Sequence, residues 1–166
     1  MPLLKVKHNI EVAHRLYEMP GKCENIHGHS MWVTLGLEGG INDHGVVYVD
    51  EKTKAGLNFG DVKKEFRGYL DDYFDHHVLL NEKDPWAGQL RVMPREITSD
   101  DSRMAPEDVH YQRMPGLQAM PGDPTTEHLA LWIGEWAAAN FQTDVEVEVW
   151  ETAVNAIVVL VPWSGV

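Results

Sequence analysis

The chain of 166 residues is poor in cysteine, in basic side chains and in long apolar runs. Cys23 is its one cysteine, so no intrachain disulfide can form and a cysteine-rich structural zinc site is excluded. No apolar stretch approaches the roughly 20 residues that cross a bilayer as a helix, which argues against a membrane partner. Residues 1–14 alternate in polarity and do not form a signal peptide, so a reducing cytoplasm is the expected compartment. Lysine and arginine number 14 against 26 acidic residues, a net charge of -12. A field of that sign repels phosphate backbones and argues against a nucleic-acid partner.

What is present supports a folded core. Hydrophobic residues make up 43% of the chain and tryptophans number six, which opposes disorder. The length suits one domain, expected to span residues 1–166, with a core that needs no disulfide staples. Nine histidines are many for an acidic chain of this size, and their placement carries the functional reading.

Residues 3–14 (LLKVKHNIEVAH) alternate as a strand, with Val6, His8, Ile10, Val12 and His14 on one face. A second strand is predicted over 29–38, with His29, Met31, Val33, Leu35 and Leu37 on one side. The spacing of Val62, Phe66, Tyr69, Leu70 and Tyr73 predicts a helix over 61–74, with Asp61 as its N-cap. A second helix is predicted over 125–140 from Leu129, Trp132, Ile133, Trp136 and Ala137. Two further strands, 144–151 and 156–163, close the chain. Val145, Val147, Val149 and, by parity, Glu151 share one face of the first of them. Residues 84–122 show no periodicity and read as an irregular insert. This order implies an α+β domain with helices on one face of an antiparallel sheet.

The strongest local signal is His27-Gly28-His29. Residues two apart on a strand point the same way, so both imidazoles can approach one point. His14, at the end of the neighbouring strand, offers a third, and three histidines with an open fourth position describe a catalytic zinc site. A His-x-His pair also fits an ordinary strand. Cys23 lies four residues before His27, and a thiol beside a metal serves as base or nucleophile, whereas a lone cysteine is otherwise inert. Asp75-His76-His77 follows the first helix. The acid there could orient a catalytic histidine, or the histidines could simply face the helix dipole. Glu151 ends an apolar face. It either reaches water or accepts two adjacent N–H groups from a guanidine-like ring edge.

The segments IEVAHRL (10–16), CENIHGH (23–29), FDHHVLLN (74–81), PTTEHLALWI (124–133) and VWET (149–152) together resemble the 6-pyruvoyltetrahydropterin synthase / 6-carboxytetrahydropterin synthase family. The resemblance covers nearly the whole chain except 84–122. It implies the tunnelling fold: a four-stranded antiparallel sheet with two helices between strands 2 and 3. That fold assembles into an oligomeric barrel, here a homohexamer (a dimer of trimers) with active sites between subunits. By position, His14, His27 and His29 correspond to the family's zinc ligands. Cys23, Asp75 and His76 correspond to its catalytic residues, and Glu151 and Thr126 to its substrate-binding ones; His77 is expected to be structural. The implied substrate is a pterin triphosphate, 7,8-dihydroneopterin triphosphate.

The spacing Cys-x3-His-Gly-His resembles the 6-carboxy-5,6,7,8-tetrahydropterin synthases of 7-deazaguanine (preQ0/queuosine) biosynthesis, which release acetaldehyde and triphosphate. Glu24 also creates Glu-x2-His-Gly-His, similar to a branch forming 6-hydroxymethyldihydropterin for folate. The resemblance is also compatible with the pyruvoyl-forming activity, and with a pterin-binding module that lacks turnover. Two features depart from the family. Asn58 stands where many members have Asp. Residues 84–122 exceed the usual linker and carry Arg91, Arg95, Arg103 and Arg113, which suit a triphosphate and are expected to lie over the active-site mouth or in a plain solvent loop.

Overall fold

Alternation along the first third of the chain produces two long strands, β1 (Leu3–His14) and β2 (His27–Glu38), in a computed structural model that describes residues 1–90 and 116–165. They pair antiparallel over their whole length, from Leu3 opposite Glu38 to His14 opposite His27. Their inward positions, including Ile10, Met31, Val33 and Leu35, are fully buried. Two short strands, β3 (Gly40–Ile41) and β4 (Val47–Tyr48), form a separate hairpin, followed by helix α1 (Phe59–Tyr73). Next come β5 (His77–Asn81), α2 (Pro85–Leu90), β6 (Leu117–Met120) and helix α3 (Thr126–Phe141). Strands β7 (Val145–Trp150) and β8 (Ala156–Val161) complete the order.

The sheet order is β6-β5-β1-β2-β7-β8. Its antiparallel part, β1-β2-β7-β8, holds α1 and α3 between its second and third strands in chain order, as the family resemblance implies. Phe66 and Leu70 of α1 and Leu129, Ile133 and Ala137 of α3 join Leu35 and Val147 of the sheet in one core. At Gly134 α3 comes so close to β8 that a Cβ would sit 2.5 Å from a methyl of Val161.

Three features differ from the sequence expectation. The sheet is mixed, because β5 and β6 add to the β1 side in parallel. The turn after α1 is tied to β1 by bonds to Glu11: the Glu11 amide donates to Asp75 Oδ1, and the His76 amide donates to the Glu11 carbonyl. The chain therefore leaves that turn alongside β1, with Val12 opposite His77. Secondly, the 84–122 insert is not wholly irregular. It contains α2, entered through Pro85 with Asp84 Oδ1 accepting from the Trp86 amide, and it contains β6. These elements are too short to show a period. Arg91, Arg95, Arg103 and Arg113 lie outside the described residues. Thirdly, Asn58, not Asp61, caps α1: its backbone is extended and its Oδ1 accepts from the Gly60 amide at 2.7 Å. Asp61 sits in the first turn, where its charge complements the helix dipole. Among the described residues no helix is long and apolar enough to cross a membrane.

Candidate functional site

The strand pairing brings the histidines together. His14 ends β1 directly opposite His27, which opens β2, and His29 lies opposite Val12. The three rings have centroids 4.5, 5.0 and 5.2 Å apart, and each offers a nitrogen within 4.8 Å of the others. His14 is 1% exposed. Its Nδ1 donates to the Pro124 carbonyl at 2.8 Å, and the His27 Nδ1 donates to the Asn25 carbonyl at 2.8 Å. A carbonyl only accepts, so both rings carry a proton on Nδ1, which leaves Nε2 as the position free for a ligand. The His14 Nε2 is buried without a hydrogen-bond partner. Burial holds the His14 pKa below its ordinary value. The neighbouring His27 and His29 act in the same direction, against the Pro124 carbonyl and Glu151. A neutral ring with an orphaned buried lone pair, beside two more imidazoles, fits a divalent metal ion.

Glu151 follows β7 and points at this cluster. Its Oε1 lies 3.9 Å from His14 Nε2 and 3.8 Å from His29 Nε2, and it accepts from the Thr126 hydroxyl at 3.1 Å. Thr126 opens α3, whose N-cap Thr125 accepts from the His128 amide. One chain thus brings together five of the eight residues singled out in the sequence: His14, His27, His29, Thr126 and Glu151.

The other three are not members of that cluster. Cys23 is exposed on a 3-10 turn (Lys22–Glu24), and its carbonyl accepts from the Leu16 amide at 2.8 Å, closing the loop after β1. His76 is held in a left-handed conformation with φ 57°. Its side chain is 78% exposed, and its Nδ1 lies 2.8 Å from Asp75 Oδ2. Burial pushes the Asp75 carboxyl up, but the Glu11 amide and His76 outweigh it and hold its pKa below the usual carboxylate range. The ring borders an open depression of about 420 Å³, also lined by Glu11, His29 and Ser30. His77 turns its Nδ1 back to the Asp75 carbonyl, a structural contact.

Sequence reasoning missed the polar support beneath the site. Asp123, 6% exposed, accepts from the Tyr17 amide (3.0 Å), the Asn81 side chain (3.0 Å) and the Glu18 amide (2.8 Å). Arg15 is buried with its Nε 3.1 Å from the buried Asp84 and its guanidinium carbon 4.2 Å from the centre of the Trp86 ring. The available signal was an acid inside the turn Pro121-Gly122-Asp123-Pro124, which reads only as a helix start.

A family model described as 6-pyruvoyl tetrahydropterin synthase matches residues 3–160. A 6-carboxy-5,6,7,8-tetrahydropterin synthase of Rickettsia bellii is 28% identical over 131 residues, covering 78% of this chain and 76% of that protein. The corresponding protein of Rickettsia conorii is 27% identical over 89 residues, 52% of this chain; the match spans 59% of that relative's length. The solved structure of Plasmodium falciparum 6-pyruvoyl tetrahydropterin synthase superposes with a TM-score of 0.64 at 17% identity, covering 97% of this chain and 98% of the other.

Proposed function

The chain belongs to the 6-pyruvoyl tetrahydropterin synthase family, and from that premise we propose that it is a zinc-dependent 6-carboxy-5,6,7,8-tetrahydropterin synthase. It takes 7,8-dihydroneopterin triphosphate and water to 6-carboxy-5,6,7,8-tetrahydropterin, acetaldehyde and triphosphate, in the cytoplasm and on the route to 7-deazaguanines. The observation that carries this reading is the convergence of three imidazoles and a hydroxyl-steadied carboxylate on one point.

His14, His27 and His29 would hold the zinc ion, which would supply Lewis-acid polarisation of the substrate's side-chain oxygens. Glu151 accepts two adjacent N–H groups of the pterin ring, and Thr126 keeps one carboxylate oxygen oriented for it. Cys23 acts as the thiolate base that takes a proton from the substrate side chain. His76, oriented by Asp75, gives and takes protons as its partner. In one chain the His76 ring is not a member of the histidine cluster and is largely exposed. This supports a site shared between subunits of a homohexamer, into which each chain contributes its Asp75-His76 pair to a neighbour. The exposed Val158 and Leu160 on the free edge strand β8 support the same assembly.

Incubating zinc-loaded protein with the triphosphate and analysing products by mass spectrometry tests the reading. The carboxy product with acetaldehyde is expected; exclusive pyruvoyl or hydroxymethyl product overturns it. Glu24 favours the hydroxymethyl activity as a second reading, because it shares the Lys22–Glu24 turn with Cys23. In that case Glu24→Gln removes the hydroxymethyl product and spares the carboxy one.

A further inference from the structure

We infer that Asp123 is a positioning residue for the reaction: its buried carboxylate holds the shape of the loop that carries Cys23. The inference rests on the reading of this site as a pterin lyase. A carboxylate at 6% exposure must be matched by donors, and three are present within 3.0 Å. Two are main-chain amides, Tyr17 and Glu18, in the loop between β1 and the turn that bears Cys23. The base of that loop is closed by the Leu16 amide on the Cys23 carbonyl. Asp123 therefore grips the loop between its closing bond and its tip.

The residues that follow Asp123 reach the rest of the site. The Pro124 carbonyl takes the His14 Nδ1 proton, and the Thr126 hydroxyl holds Glu151. Thr125 caps α3 between them, so the segment is fixed to a helix. One short stretch thus sets the thiol-bearing loop, a metal ligand and the ring anchor relative to one another. The histidines keep their own support in the β1–β2 ladder and in the Asn25 carbonyl. Loosening Asp123 should therefore displace the Cys23 loop while leaving the metal ligands in place. Small displacements of a reacting group cost rate steeply, about a hundredfold for 1 Å.

Asp123→Asn tests this, because it preserves shape but turns an NH2 towards a loop N–H where an oxygen had accepted. With the homo-oligomer loaded with zinc, kcat is expected to fall by about tenfold to a hundredfold while KM stays within about threefold. The metal content should be unchanged. Hydrogen exchange over residues 15–24 should speed up by about tenfold, with β1 and β2 unaffected. Unchanged exchange over 15–24, or an unchanged kcat, overturns the inference. If the variant does not fold, Asn81→Ala removes one donor from the same carboxylate. The same local exchange pattern is expected there, and uniform loosening of the whole chain overturns the inference. Should the wild-type protein turn over no pterin triphosphate, the functional reading falls, while the exchange comparison still decides whether Asp123 anchors the loop.

Discussion

His14 and Pro124 lie 110 residues apart in the chain, yet the His14 Nδ1 donates to the Pro124 carbonyl at 2.8 Å. That bond fixes both the tautomer and the ring plane, so that Nε2 faces His27 and His29. His14→Ala removes the buried member of the cluster. Metal affinity is expected to fall by more than the roughly 10–100-fold that loss of an outer-shell partner causes. Metal content after dialysis against a chelator measures it, and full retention would contradict the assignment.

Cys23 makes its structural contribution through its carbonyl, and its side chain is exposed. Cys23→Ala should therefore leave the melting temperature and zinc content unchanged. Turnover should fall by at least about a hundredfold, as expected when a general base is lost. A variant that keeps wild-type turnover removes Cys23 from the chemistry.

Glu151 and Thr126 can be separated by titration calorimetry with a non-reactive pterin. Glu151→Gln removes the charge from paired hydrogen bonds worth about 1.5–3 kcal/mol each, so binding should weaken by at least about tenfold. Thr126→Val only releases the carboxylate from its hydroxyl, and a weakening of about threefold to tenfold is expected. Equal effects of the two changes would argue that Thr126 itself contacts the pterin.

The Asp75 carboxyl is held below the usual carboxylate range in the folded chain. Its unfolded value is about 3.9. A depressed folded pKa adds stability that is fully present above the unfolded value and disappears as pH falls through the folded one. Asp75→Asn should therefore melt below the wild type at neutral pH, and the gap should close as pH falls below the unfolded value and through the lower folded one. Melting scans across that range check the sign; a gap that widens in acid refutes it.

Much of this molecule is legible in its residues because burial imposes a period. β1, β2, β7 and β8 alternate, and α1 and α3 keep their helical stripes, since each packs one face on the common core. The histidine cluster is legible for the same reason: parity puts His27 and His29 on one face, and a neighbouring strand end supplies His14. Strand β5 escapes because HVLLN is a short apolar run with no alternation, and β6 and α2 are shorter than any window that shows a period. The α1 cap lies at Asn58 and not at Asp61, and the exposed Phe59 and flexible Gly60 between them hide the true start. Pro124 contributes a carbonyl, which every residue has, and Asp123 gains its role only when folding buries it against Tyr17 and Glu18.

The pairing of His14 with His27 has a consequence for how the chain matures. Strand registers are discrete, and a slip by one residue sends every side chain of a strand to the opposite face. A β1–β2 hairpin closed one residue out of step would set Ala13 opposite His27 and split the three imidazoles between two sides of the sheet. Only the correctly paired hairpin can capture the ion with all three, and the free energy of capture then counts towards folding. A metal ion bound by the three histidines would therefore also act as a proofreader of strand alignment, rewarding the one pairing that builds the rest of the site.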